Sequence, residues 1–154
     1  MGRRSRAGDL PMSFPAVSEL LLHRAPMILI DEVLEAAEGR VVTRVTLRSS
    51  SPFVENERVS AVVAIEYMAQ TIAAYAGLRA RAAGGVPRIG YLLGTREMTL
   101  EIDAFAVGDE LTIEARHVWG DEQLGSFECE VRRAGRVLVT ALVKVYEGNE
   151  VRTS

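Results

Sequence analysis

Apolar residues follow two regimes along this chain. From Ser60 to Arg81, SAVVAIEYMAQTIAAYAGLRAR, they fall on nearly every face of a 3.6-residue period, the pattern of a helix enclosed by its own protein. Elsewhere they come in short runs of branched residues divided by turn residues, the pattern of strands. Ser60 is the expected N-cap, and Gly84-Gly85 with Pro87 beyond marks the helix stop.

Before the helix, residues 1–16 lack periodicity and read as a flexible lead-in, with one helical turn over Val17 to Leu22. Met27 to Leu34 and Val41 to Leu47 predict a hairpin about Glu38-Gly39, and SSSP at Ser49–Pro52 predicts a loop. After the helix come five runs: Arg88 to Leu93, Arg96 to Ile102, Glu110 to Trp119, Leu124 to Arg132 and Val137 to Tyr146. Gly108-Asp109, Gly120-Asp121 and Ala134-Gly135 read as the turns. In the third run Leu111, Ile113, Ala115, His117 and Trp119 share one face, so that strand is half buried. Val137 to Leu142 is apolar on both faces and suits a central strand. The fold class is α+β, one long helix wrapped by an antiparallel sheet of five to seven strands. A single domain is expected over residues 17–147, with 148–154 as a tail.

Composition narrows the function. The chain has 154 residues, 48% hydrophobic and 25% charged, with a net charge of −3, which speaks against nucleic acid as the main partner. The helix carries a charge at Glu66, so no membrane span is expected, and no apolar leader follows the basic opening. One cysteine, Cys129, makes no internal disulfide and, alternating with Phe127 and Val131, reads as a small buried hydrophobe. A cytoplasmic location follows as the expectation, and metal ligation is not expected from so few soft ligands.

Glu66 is the only charge between Ala61 and Leu78, and Gln70 lies one turn on. Both project from the side continued by Ala73, Ala74 and Gly77, which predicts a narrow groove headed by a carboxylate. Such a carboxylate either does chemistry or bonds neighbouring backbone groups. His23 and His117 are the only imidazoles; His117 reads as a core or interface residue beside Trp119.

The segments HRAPMILIDEVLE, IEYMAQ and YLLGTREMTLEIDAFAVGDELTIEA together resemble the hotdog-fold 3-hydroxyacyl-[acyl carrier protein] dehydratases, over about residues 20–146, and most of all the branch associated with aryl-polyene clusters. The resemblance implies a hotdog fold and elimination of water from a 3-hydroxyacyl thioester. It implies no resident cofactor, because the acyl chain rides on phosphopantetheine of acyl carrier protein or coenzyme A. It implies a homodimer, or a heterodimer with another hotdog subunit, with sites at the interface. Glu66 matches the acid, and the carbonyl-binding backbone amide falls near Ala61. Substrate contacts are expected at Ala61, Val62, Gln70 and Gly94, and carrier-protein docking at Arg79, Arg81, Arg88 and Arg96, which could equally be solvated.

The family's catalytic histidine lies just before the helix, and here that region reads SPFVENERVSAVV, without histidine. Four accounts stay open. His23 takes the role of base, against its reading as a structural histidine in a loop. The chain is the non-catalytic half of a heterodimer whose partner supplies the histidine. It is an acyl thioesterase using Glu66 alone. Or it binds carrier protein without chemistry.

Overall fold

The computed structural model describes residues 14–22, 25–85, 90–120 and 124–147. A short helix, α1 (Val17–Leu20), precedes a hairpin of β1 (Glu32–Ala37) and β2 (Arg40–Thr46), turned at Gly39 with φ +77°. A short strand, β3 (Arg58–Ser60), leads through one 3₁₀ turn (Ala61–Val63) into the long helix α2 (Ala64–Ala82). Then follow β4 (Gly90–Leu100), β5 (Ala104–Ala106), β6 (Glu110–Gly120), β7 (Leu124–Arg133) and β8 (Arg136–Glu147).

Six strands form one antiparallel sheet in the order β1-β2-β6-β7-β8-β4, and β3 pairs with β5 in a two-stranded sheet at the helix start. The alternation expected of half-buried strands is met: Leu111, Ile113 and Ala115 of β6, and Cys129 and Val131 of β7, face inward and are buried. They meet Tyr67, Met68, Ile72, Ala74 and Tyr75 of α2 in one continuous core. This is the hotdog arrangement, a helix laid in the curve of a sheet. By length and composition alone, Ala61–Ala82 would also serve as a membrane span; its burial inside the sheet is that of a core helix.

Polar bonds fix the helix in the curve. The Thr71 hydroxyl donates to the Tyr67 carbonyl at 2.8 Å, so Thr43 of β2 donates to Thr71 Oγ1 at 2.7 Å. The Tyr75 hydroxyl accepts from Gly39 N–H at 2.7 Å, tying the β1–β2 turn to the helix. The outer face of the sheet is ionic: Arg40 bonds Glu114, and Arg132 bonds Glu130 and approaches Glu114 at 3.6 Å. The hydrogen bond from Arg40 to Glu114 holds the guanidinium above its usual range.

Three sequence expectations are corrected. The first strand begins at Glu32 rather than Met27, because the Met27–Leu29 backbone is bonded to a side chain of α2 and not to a strand. The first two runs after the helix, Arg88 to Leu93 and Arg96 to Ile102, expected as separate strands, are one strand, β4; its irregularities between Leu92 and Gly94 and between Arg96 and Thr99, with Glu97 at φ +54°, are bulges that look like turns in sequence. His117 and Trp119 are exposed, not core: a bulge between them breaks the alternation, and His117 rests edge-on against Phe127 at 5.1 Å.

Candidate active site

Ser60 caps the turn that leads into α2, as its sequence position suggested. Its hydroxyl accepts from Val62 N–H at 3.4 Å and starts the 3₁₀ turn that feeds α2. Glu66 lies in the first turn of α2, where a carboxylate complements the N-terminal dipole. Its side chain is exposed in the protomer, not enclosed as expected.

The reason is a division of the helix surface. The side carrying Gln70, Ala74 and Gly77 is filled by the chain itself. A Cβ at Gly77 would lie 2.4 Å from the Leu20 carbonyl oxygen, so glycine is what lets α1 lie against the helix. The expected groove on that side is therefore closed. The stripe left partly open is rotated from it and runs through Val62, Ile65, Glu66, Ala69, Ala73 and Ala76. It is apolar and small-sided apart from one carboxylate. Ile65, Ala69 and Ala76 were missed in the sequence because they look like core; only knowing which side α1 covers separates them from Ala74.

Other expected contacts fall in different places. Ala61 is buried and its N–H donates to the Asp103 carbonyl at 2.8 Å, so that amide is already engaged. The next amide, Val62, is held only by the long bond to Ser60, and its side chain is 57% exposed. Gln70 is buried with its amide spent on backbone: Oε1 accepts from Leu29 N–H at 2.8 Å and Nε2 donates to the Met27 carbonyl at 2.7 Å. The side chain is buried and turned to the Met27–Leu29 backbone rather than to an open groove. Gly94 lies in β4 with open space where a Cβ would be. Arg79 and Arg81 are exposed on the last turn of α2, Arg79 with its guanidinium 5.7 Å from the Tyr75 ring centre, and Arg96 is exposed on β4. At 1.5 Å per residue, Arg79 stands roughly 20 Å along the axis from Glu66. His23 and Arg88 lie outside the described residues.

Two titratable groups inside the fold are far from reactive. Burial pushes the Tyr67 phenol up to about 12. Burial, and then the charge of Glu128, push the Cys129 thiol up to about 12. Both stay neutral near pH 7. The imidazole of His117 interacts with Phe127, which stacks on Tyr75 more than two turns along the helix from Glu66.

The edge strand β4 is the other open surface. Leu92, Leu93 and Leu100 are 44%, 57% and 40% exposed on it. The opposite edge, β1, carries Glu32 and Glu35 and a bulge between Val33 and Glu35, features that discourage pairing.

Comparison with known proteins agrees with the fold. A chain of the dehydratase heterocomplex ApeI:P from Xenorhabdus doucetiae is 33% identical, with 88% of this chain and 93% of that chain covered at a TM-score of 0.85. A hypothetical thioesterase protein with coenzyme A from Streptococcus pneumoniae TIGR4 is 18% identical over 77% of this chain and 86% of that one (TM-score 0.57). The uncharacterized protein PH1136 from Pyrococcus horikoshii is 16% identical over 89% and 97% (TM-score 0.62). These last two share the fold. The ApeP-like family profile, described as ApeP dehydratase, matches residues 15–154, and with that match the chain belongs to the ApeP-like family of dehydratase-like hotdog proteins.

Proposed function

We propose that this protein is a subunit of a hotdog dehydratase that eliminates water from 3-hydroxyacyl thioesters, with Glu66 as general acid. The observation that carries the proposal is the open helix stripe: an apolar, small-sided track with a single carboxylate at the N-terminal end of α2. In the reaction a base removes the proton at C2, the C3–oxygen bond breaks as Glu66 protonates the departing hydroxyl, and a trans-2-enoyl thioester and water leave. Near the helix start, the Val62 N–H is the amide placed to polarise the thioester carbonyl, taking over the role expected at Ala61.

The base comes from outside the described residues: His23, or a histidine of a second hotdog subunit. The second source is favoured by the likeness to a chain of a dehydratase heterocomplex. It is favoured also by β4, whose leucines give a second hotdog sheet an edge to extend. Acyl carrier protein is the proposed donor of the acyl chain, and Arg79, Arg81 and Arg96 are exposed cations for its acidic surface.

The test is a product assay with 3-hydroxyacyl thioesters, first with the purified chain and then with a co-purified hotdog partner. Formation of an enoyl thioester, read by its ultraviolet absorbance, is the expected result, and dependence on the partner identifies the source of the base. Release of free thiol without enoyl product would assign a thioesterase and overturn the proposal. Neither product under either condition would overturn it in favour of a binding role.

A further inference from the structure

Among the largest fully buried side chains of the described residues, Gln70 alone is polar. A buried amide costs stability unless its groups are paired, and a methionine or leucine would fill the space without that demand. Gln70 does pair, and with a particular object. The Met27 carbonyl and the Leu29 N–H are the i and i+2 groups that a strand would turn toward a neighbouring strand, and here both reach one side chain. Gln70 Nε2 meets the first at 2.7 Å and Oε1 the second at 2.8 Å. A single side chain thus stands in for a strand neighbour that the segment lacks until β1 begins at Glu32.

The place matters as much as the bonds. Gln70 is one turn beyond Glu66 on the same helix, so the segment it holds is anchored one helical turn along α2 from the carboxylate. Met27 is half exposed with its carbonyl fastened to the helix. We infer that Gln70 is a positioning residue, a two-point latch that registers the Met27–Leu29 backbone against α2 and so sets one wall of the Glu66 site. The inference rests on the dehydratase reading for its link to turnover, but the latch itself can be read without it.

Two substitutions separate the roles. Gln70→Leu removes both bonds. Gln70→Glu keeps both only while the introduced carboxyl is protonated, when it has one acceptor and one donor; ionised, it still accepts from Leu29 N–H but sets an acceptor against the Met27 carbonyl. Burial raises a carboxyl's pKa, so the Met27 point of the latch should hold at acid pH and open as pH rises through that raised value. Leu29 amide exchange by NMR should show a protection factor about tenfold lower in Gln70→Leu at every pH. In Gln70→Glu the Leu29 bond persists, and the Met27 methyl resonance should shift as the carboxyl ionises. Enoyl-thioester formation, by the chain alone or with its partner, should follow the same pH course in Gln70→Glu, falling about tenfold relative to wild type where the carboxyl ionises. Leu29 protection unchanged in Gln70→Leu, or a Met27 resonance unmoved by pH in Gln70→Glu, overturns the latch. A Met27 resonance that follows pH while turnover does not overturns the positioning role. Should wild type yield no enoyl product, the dehydratase reading falls, and the Leu29 exchange with the Met27 methyl resonance still decides the latch.

Discussion

The two sides of helix α2 have nearly the same composition and opposite circumstances. On one, Gln70, Ala74 and Gly77 are buried under α1 and the Met27–Leu29 segment. On the other, Ile65, Ala69, Ala73 and Ala76 remain partly open beside an exposed Glu66. Small residues do different things in the two places. At Gly77 smallness lets one backbone approach another; along the open stripe it leaves room for something not part of this chain. A substitution should therefore cost chiefly stability on the first side, with Gln70 acting on turnover only through the segment it holds, and function on the second.

The largest effect is expected at Glu66. Glu66→Gln should lower turnover by about 10²–10⁴, or roughly 3–5 kcal/mol of barrier. Because the side chain is exposed, urea unfolding should change by less than about 0.5 kcal/mol. Large destabilisation with turnover preserved would reverse the assignment of the two sides.

Alkali should act on the closed interior alone. Tyr67 and Cys129 have ordinary values of 10.0 and 9.0, each raised to about 12 in the fold. Since the folded state favours their neutral forms, their contribution is fully present below pH 9. It is lost as pH climbs toward 12, on the order of a few kcal/mol together. Urea midpoints at pH 8 and pH 11 should differ accordingly, and Cys129→Ala should remove part of that difference.

Gly77→Ala tests the closed side directly. The added methyl would sit 2.4 Å from the Leu20 carbonyl oxygen, so α1 must move, at a cost of about 1–3 kcal/mol that outweighs alanine's better helix propensity. Ala73→Ser on the open stripe should cost less than about 1 kcal/mol in the same denaturation assay.

The last pair of substitutions sharpens the role of the sheet edges. Leu92→Arg with Leu93→Glu on β4 should weaken assembly by at least about thirtyfold, from two half-exposed leucines that no longer bury apolar surface. Leu34→Glu on β1 should leave sedimentation unchanged, since that edge is already charged and bulged. Equal effects at both edges would remove the distinction.

Most of the architecture could be read from periodicity, because a buried helix and half-buried strands impose their periods directly on the residues. Ser60 as cap, Gly39 as turn and the inward set of β6 follow from local chemistry. Two features resisted. The continuity of β4 through Glu97 is hidden because a bulge uses the same residues as a turn. The boundary between the closed and open sides of α2 is hidden because it depends on where α1 lands, a contact across more than fifty positions of sequence that leaves only a glycine as its mark. The site carried the same division. Glu66 was visible as a lone charge, whereas the engagement of the Ala61 amide by Asp103 and of Gln70 by Met27 and Leu29 are tertiary facts.

The ionic network across the outer face of the sheet, Arg40, Glu114, Arg132 and Glu130, limits how copies of this protein can add to one another. A second sheet stacked on that face would have to strip water from paired charges, and β1 repels a new strand. Sheet extension is then expected at the β4 edge alone among the described edges, with one neighbour for each protomer. Protomers paired in that way would not grow into a fibre by sheet extension, and a copy that joined its own kind would be unavailable to any other chain. If two kinds of hotdog subunit compete for that edge, their relative amounts set how much of each dimer exists.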